Sequence, residues 1–220
     1  MKVCTDATVF GAMAPVRAGD RVLDLGTGTG LLALMMAQLG AVSVSAVEID
    51  AAAAKEAARN FALSPWGDRL RLILGDMRDH DTVSNRSFEL VICNPPFFAD
   101  QSLSEDPQRR RARHADESFL ADLVQVVDRS MSEQGLFYVL LPRERIPGLV
   151  HLAAGEQLYP LCRTDIRGYE HQSPKLAAVT FARTSGPMIE RCLTVYDAPR
   201  QYSRTAAAYL GDFLLRFAEA

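Results

Sequence analysis

The stretch Arg21-Val22-Leu23-Asp24-Leu25-Gly26-Thr27-Gly28-Thr29-Gly30 is a short apolar run that ends in an acid and three alternating glycines. The leucines and methionines of 31–39 follow it with the pattern of a largely buried helix. Glycines at alternate positions let a ligand approach the backbone, where a Cβ would obstruct it. The helix N-terminus behind them directs N–H groups towards a carboxylate or a phosphate. The stretch therefore predicts an α/β fold that binds its ligand at one edge of the sheet.

The glycine loop alone leaves alternatives open. Gly28, Gly30 and Ala33 also satisfy the dinucleotide pattern G-x-G-x-x-G/A, which would indicate a nicotinamide enzyme. A tight turn without a ligand is a further alternative. Asp24 argues against a dinucleotide, because an acid at the strand end would repel a pyrophosphate. The same acid suits the cationic moiety of an amino acid.

Two further acids follow the next two predicted strands. Glu48 and Ile49 end the apolar run 42–49, about 20 residues past the glycine loop. An acid at that position typically binds the ribose hydroxyls of an adenosine cofactor. Asp76 and Met77 follow the run 70–74. We expect Asp76 to accept from an adenine amino group while Met77 packs on the ring.

The run Asn94-Pro95-Pro96-Phe97 ends the fourth predicted strand, 88–94. The Asn94 side-chain oxygen and the Pro95 backbone carbonyl offer a planar nitrogen two acceptors at one point. Both prolines fix φ and withhold an N–H from any neighbouring strand. Phe97 adds an aromatic face. Acids after three strands and this run after the fourth predict one site along a single sheet edge.

With these motifs, the chain resembles the class I S-adenosylmethionine-dependent methyltransferases that carry an Asn-Pro-Pro-aromatic motif. It resembles most closely the bacterial tRNA(Val) (adenine-37 N6)-methyltransferase family. The segments that carry this resemblance are 2–6, 31–38, 64–66, 94–98, 202–203 and 212–214. In that family a short segment usually precedes the Lys-Val-x-Thr-Asp motif, which begins here at residue 2.

The resemblance implies S-adenosyl-L-methionine as cofactor, the tRNA anticodon loop as partner, and methyl transfer to N6 of adenine 37 in tRNA(Val). The catalytic residues implied are Asn94, Pro95, Pro96 and Phe97. The cofactor-binding residues implied are Thr5, Asp6, Asp24, Gly26, Gly28, Gly30, Glu48, Ile49, Asp76, Met77 and Asn94. The substrate-binding residues expected are Phe97, Phe98, Arg109, Arg110, Arg111 and Arg113.

The four arginines belong to a segment of about 20 residues between Phe98 and the helix predicted at 119–132. A long loop inside a compact domain is usually functional or disordered. Beside the catalytic run, its arginines could bind phosphates that flank the target base. A solvated loop is the alternative. Arg143 and Arg145, after the fifth predicted strand, are expected to face the same edge.

The alternation of apolar runs with helical patterns predicts a Rossmann-like, seven-stranded, mostly parallel sheet with helices on both faces. Residues 1–220 are expected to form one methyltransferase domain. The predicted strands are 21–26, 42–49, 70–75, 88–94, 135–141, 159–167 and 177–183. The predicted helices are 6–14, 30–39, 51–63, 119–132 and 203–218.

The protein is expected to be a cytoplasmic monomer. Its net charge of −3 and pI of about 5.8 are not typical of a nucleic-acid-binding protein. The four cysteines show no metal-binding spacing, which predicts reduced thiols and no metal. The chain has no signal-peptide pattern and no apolar run of membrane-spanning length.

Three alternatives to tRNA adenine methylation remain open from the sequence. Protein glutamine N5 methylation would use the same pocket for an amide nitrogen, and guanine-N2 methylation of ribosomal RNA would use it for another amino group. The third alternative is a non-catalytic module that binds the cofactor or RNA. The arginines and the family resemblance favour the tRNA enzyme.

Overall fold

A computed structural model of the protein describes residues 5–79, 87–95 and 107–214, with 107–116 described by their backbone alone. Within these residues the chain forms ten strands and six α-helices. In chain order they are α1 (Thr5–Ala12), β1 (Arg21–Leu25), α2 (Leu31–Gln38), β2 (Ser43–Glu48), α3 (Ala51–Leu63), β3 (Leu70–Leu74), β4 (Phe88–Cys93), α4 (Pro107–Ser130), β5 (Met131–Pro142), α5 (Ile146–Gly155), β6 (Tyr159–Arg167), β7 (Leu176–Ala182), β8 (Ile189–Thr194), β9 (Tyr196–Ala198), β10 (Gln201–Tyr202) and α6 (Arg204–Leu210).

Eight of the strands form one sheet in the order β3-β2-β1-β4-β5-β7-β6-β8. Strands β1 to β5 are parallel, β7 is antiparallel to both of its neighbours, and β8 is parallel to β6. The strand order reverses between β1 and β4. A reversal of this kind opens a crevice beyond the carboxyl ends of the two strands.

Helices cover both faces of this sheet, as the sequence predicts. Phe10, Met36 and Phe61 bring α1, α2 and α3 into one apolar cluster, which α6 also joins. Leu123 and Leu149 bring α4 and α5 into the cluster on the opposite face. Strands β1 and β4 lie between these clusters and are buried on both sides, which explains their almost uninterrupted apolar sequences.

The prediction of seven strands is wrong by one, because β8 also joins the sheet. Its sequence is Ile-Glu-Arg-Cys-Leu-Thr, and only Leu193 in it is buried. An edge strand exposed on most positions has no apolar run, so nothing in its composition marks it as a strand.

Three helix predictions also need correction. Helix α5 was not predicted, because Pro147 and Gly148 at its start resemble a loop, although proline is tolerated in a first helical turn. Helix α4 begins at Pro107 rather than 119, so the backbone of the arginine cluster is helical and not a loop. Helix α6 ends at Leu210 and not at 218. In the described parts of the chain, no helix is long and apolar enough to cross a bilayer.

Candidate active site

A cavity of about 1070 Å³ lies beyond the carboxyl ends of β1 to β4. Many of the residues predicted from sequence line it, although they come from separate parts of the chain. The predicted cofactor residues in its lining are Asp6, Gly26, Gly28, Glu48, Ile49, Asp76, Met77 and Asn94. Thr5, Asp24 and Gly30 are not in the lining, although Thr5 and Asp24 each precede a residue that is.

The glycine loop forms the wall above β1. Gly26 and Gly28 have φ angles of 73° and 59°, in the left-handed region that favours glycine. A Cβ added to Gly26 would meet no protein atom within 4 Å, so this position faces open space. The Gly26 and Thr27 amides both donate to the Val47 carbonyl, at 2.9 and 3.0 Å. These bonds fix the loop against β2 and leave its glycines at the cavity.

Gly30 is required for a different reason from the one predicted. It caps the N-terminus of α2 with φ of 90°. A Cβ there would lie 2.5 Å from Cε1 of Phe61 on α3. The third glycine therefore permits close helix packing, and its backbone does not border the cavity.

Asp24 lies behind the cavity wall, fully buried in β1. The Thr27 hydroxyl donates to its Oδ2 at 2.6 Å, while Oδ1 has no hydrogen-bond partner. Burial raises the pKa of this carboxyl from 3.8 to about 7, against the opposing effect of the Thr27 hydrogen bond. Beneath the glycine loop, this carboxyl therefore holds its proton more readily than an exposed aspartate does.

Glu48 is a nearly buried acid at the cavity. It is only 8% exposed, and its two oxygens accept from the Gly28 amide at 2.7 Å and the Asp50 amide at 2.8 Å. Each carboxylate oxygen retains a lone pair for a further donor. Ile49 beside it is 66% exposed and lines the cavity, so an apolar surface adjoins the acid.

Asp76 is held by an arginine that the sequence analysis did not single out. Its carboxylate accepts from the Arg78 backbone amide and Nε, both at 2.9 Å, and from Arg78 Nη2 at 2.5 Å. The hydrogen bond from Arg78 lowers the pKa of Asp76. Nη1 of Arg78 also lies 3.7 Å from Oδ2 of Asp122 on α4, so Arg78 links the loop after β3 to that helix. Asp76, Arg78 and Asp122 all line the cavity.

Asn94 enters the cavity directly after β4. Its Oδ1 is buried and has no hydrogen-bond partner. Pro95 lines the cavity beside it, and Cys93 closes the wall behind with a thiol whose pKa burial raises. The predicted catalytic residues Pro96 and Phe97, and the predicted base-stacking residue Phe98, lie outside the described residues.

Several lining residues were not predicted, because distant parts of the chain bring them to this edge. Ser118 and Phe119 come from α4, while Lys175 and Leu176 come from the turn that leads into β7. The antiparallel direction of β7 brings its first residues to the edge where the parallel strands end. No local motif marks them.

The structure describes only part of the arginines that were predicted to bind the substrate. Arg109, Arg110, Arg111 and Arg113 lie on the described backbone of α4, and their side chains lie outside the described part of the chain. Arg143 and Arg145 form a short 3₁₀ turn at the end of β5, on the predicted edge. Arg143 Nε lies 3.0 Å from Asp165 on β6.

The chemistry of the lining fits an adenosine-bearing amino acid. The open side of Gly26 leaves room for an amino-acid moiety near the buried Asp24, and the unpartnered Oδ1 of Asn94 in the lining requires a donor. Glu48 can accept from hydroxyl groups, and Ile49 and Met77 offer apolar contact to a ring. In residues 5–79, 87–95 and 107–214, no group of three or more His, Cys, Asp or Glu side chains is placed to hold a metal ion.

The chain matches both a family model and curated relatives in sequence. The family model described as "methyltransferase small domain" matches residues 6–130. A curated tRNA1(Val) (adenine(37)-N6)-methyltransferase of Bacteroides fragilis (strain YCH46) is 35% identical over 217 residues. That alignment covers 98% of this chain and 92% of the relative.

Solved structures show the same fold. The crystal structure of a predicted O-methyltransferase from Agrobacterium tumefaciens has a TM-score of 0.76 at 16% identity, over 94% of this chain and 95% of that one. The geranyl diphosphate C-methyltransferase of Streptomyces coelicolor A3(2), solved with S-adenosyl-L-homocysteine, has a TM-score of 0.59 at 15% identity. The match covers 81% of this chain and 78% of that one. At these identities the likeness establishes the class I methyltransferase fold alone.

Proposed function

The chain belongs to the methyltransferase small domain family and, with the curated relatives it matches, to the tRNA1(Val) (adenine(37)-N6)-methyltransferases, and from this we propose its reaction. The protein transfers a methyl group from S-adenosyl-L-methionine to the exocyclic N6 amino group of adenine 37 in tRNA1(Val). The single observation that carries the proposal inside the site is the buried, unpartnered Oδ1 of Asn94 at the end of β4.

The proposal assigns the cofactor to the large cavity. S-adenosylmethionine supplies an electrophilic methyl group on a sulfonium. Its carboxylate lies near the glycine loop, where Gly26 and Gly28 leave room in the lining, and Asp24 attracts its ammonium from behind the loop. Glu48 accepts from the ribose hydroxyls with the lone pairs that its two amide partners leave free. Ile49 and Met77 pack on the adenine, and Asp76 faces its amino group.

Asn94 and Pro95 act on the target amino group. The Asn94 oxygen and the Pro95 carbonyl accept its two hydrogens, which draws the nitrogen from planar towards tetrahedral geometry. Its lone pair then becomes available for attack in line with the methyl group. A strong base is not required, because the proton can leave after transfer. The rate comes from positioning and from acceptors directed at developing positive charge.

The target adenine must leave its stack to reach the cavity, as enzymes that act on bases require. A base in an anticodon loop is already partly unpaired, so this costs less than in a duplex. Phe97 and Phe98 stack on the base, and the arginines of α4 bind neighbouring phosphates. In this proposal residues 1–220 act as a single domain and a monomer in the cytoplasm, where the enzyme meets tRNA.

Glutamine N5 and guanine-N2 methylation are not favoured. The curated relative that aligns with 98% of the chain bears the name of an adenine-N6 enzyme. No feature of the described cavity selects an amide or a guanine over adenine.

The test is methyl transfer from labelled S-adenosylmethionine into unmodified tRNA1(Val) transcript, with the nucleosides identified by mass after digestion. We expect N6-methyladenosine, and none when the transcript carries guanine at position 37. Label at another adenine would place the reaction elsewhere in the tRNA. Absence of label in a sample with proven cofactor binding would overturn the assignment of the acceptor.

A further inference from the structure

Four rings follow one another in a stack on the sheet edge that carries the cavity, with the middle pair, Tyr169 and Tyr196, tilted by 35°. The ring centroids of His171 and Tyr169 are 5.7 Å apart with planes 15° from parallel. Tyr169 lies 5.7 Å from Tyr196, and Tyr196 lies 4.9 Å from Tyr202. These distances are within the range of favourable aromatic pairs.

The stack is fixed at one end and open at the other. Tyr196 and Tyr202 pack against the apolar cluster on the α1, α2, α3 and α6 face of the sheet. Tyr169 is half-buried, and His171 is exposed. Local packing explains the positions of Tyr196 and Tyr202. It does not explain why the exposed imidazole of His171 lies nearly parallel to the ring of Tyr169.

Hydrogen bonds close the turn that presents the outer rings. The Gln172 amide donates to the Tyr169 carbonyl at 3.0 Å, and the Tyr169 amide donates to Gln172 Oε1 at 3.2 Å. The Tyr196 amide donates to the Gly168 carbonyl at 2.8 Å, which ties the turn to the first residue of β9. Rings held in this way lose little freedom when a ligand stacks on them.

The same turn borders the cavity. It joins β6 to β7, where Ile166 pairs with Leu176, and both Lys175 and Leu176 line the cavity. Strands β7, β6 and β8 are successive neighbours, and neighbouring strands lie about 5 Å apart. The ring stack therefore lies on the order of 10 Å from the cavity lining. Lys175, which belongs to the cavity lining, is exposed.

We propose that Tyr169 and His171 are a stacking platform for an unpaired base next to the target adenine, and that Lys175 binds the phosphate between those two nucleotides. The proposal deepens the proposed function and rests on it. Recognition of single-stranded RNA combines aromatic faces for bases with cations for the backbone. Here one turn supplies both, directly beside a cavity that takes one base.

The experiment measures binding of a labelled tRNA1(Val) anticodon stem-loop by fluorescence anisotropy, with S-adenosylhomocysteine present, over a series of salt concentrations. Loss of one stacked base corresponds to about a tenfold rise in Kd, so His171→Ala and Tyr169→Ala should each show this at every salt concentration. His171→Phe keeps a flat ring and should bind as the wild type does. Tyr159→Ala, at the opposite end of β6, is the matched control and should not alter Kd.

Lys175→Ala should act differently. The association constant falls as salt rises, and removing one phosphate contact to a single strand makes the slope of its logarithm against log salt shallower by about 0.7. Removing a stacking ring leaves this slope unchanged. Melting temperatures of all variants verify folding.

Unchanged affinity in His171→Ala and Tyr169→Ala would overturn the platform, and so would equal losses in Tyr159→Ala. Failure of the wild type to bind this RNA would also overturn the platform. Because the assay measures binding alone, it also separates the platform from the reaction. A wild type that binds the stem-loop through these residues but does not methylate it would refute the proposed function and retain the platform.

Discussion

Replacing Asp24 by Asn should remove most of the dependence of folding stability on pH between pH 5 and pH 8 in the cofactor-free protein. Burial raises the pKa of this carboxyl from 3.8 to about 7, so the folded state holds the proton more tightly than the unfolded chain does. The carboxyl therefore disfavours folding progressively as pH rises from 3.8 to about 7, after which the penalty is constant. This direction is opposite to that of Asp76, whose pKa is lowered by Arg78.

The magnitude follows from the difference of about three pKa units, which corresponds to a full penalty of about 4 kcal/mol. Because part of it develops below pH 5, about 2–3 kcal/mol should appear between pH 5 and pH 8. Urea unfolding at pH 5, 6, 7 and 8 measures this. The free energy of unfolding of the wild type, minus that of Asp24→Asn, should rise by that amount as pH falls from 8 to 5.

A control variant separates this effect from general titration. Asp197→Asn removes an exposed carboxyl on β9, and its stability curve should run parallel to that of the wild type. A difference in the free energy of unfolding between wild type and Asp24→Asn that does not change with pH is compatible with the prediction, since it reflects how well the uncharged amide packs at this position. Parallel curves for these two proteins would refute the argument that Asp24 is a desolvated acid.

The remaining predictions concern the cavity and its glycine loop. Asn94→Ala should abolish methyl transfer to tRNA while the Kd for S-adenosylmethionine stays within several-fold by calorimetry; equal losses of both would contradict the role assigned to it. Glu48→Gln should weaken cofactor binding about tenfold or more, because a buried charged acceptor is lost; calorimetry would contradict this with an unchanged Kd. Gly30→Ala, with its Cβ 2.5 Å from Phe61, should cost about 1–3 kcal/mol by urea unfolding. Gly148→Ala, which meets nothing within 4 Å, is its control and should be neutral or stabilising by up to about 1 kcal/mol.

The sequence was most informative where local chemistry sets the structure. Strands β1 and β4 are buried on both faces, so their apolar runs are continuous and their ends are marked by Asp24 and Asn94. Positive φ at Gly26 and Gly28 restricts those positions almost to glycine, and the motif was visible for that reason. The sequence could not reveal Lys175, because its place depends on β7 running antiparallel to β5.

Electrostatic context was equally hidden. Asp76 was predicted as an acceptor for an adenine amino group, but its pairing with Arg78, two residues further on, was not recognised, and the link from Arg78 to Asp122 depends on the position of α4. The three alternating glycines looked equivalent, yet Gly30 is constrained by Phe61, which lies 31 residues further along the chain. The contacts of Arg78 with Asp122 and of Gly30 with Phe61 each join segments that share no local pattern.

The unpartnered oxygen of Asn94 also bears on why this site should favour nitrogen over oxygen as the acceptor of the methyl group. A buried acceptor without a donor costs free energy until a ligand supplies one. An amino group carries two hydrogens and can satisfy both Asn94 Oδ1 and the Pro95 carbonyl, whereas a hydroxyl carries one and would leave an acceptor unpaired. Sites built to hydrogen-bond a polar group strongly reject analogues that cannot complete the bonds. The fold shared with O- and C-methyltransferases therefore says little about the acceptor atom, and the two residues that follow β4 say more.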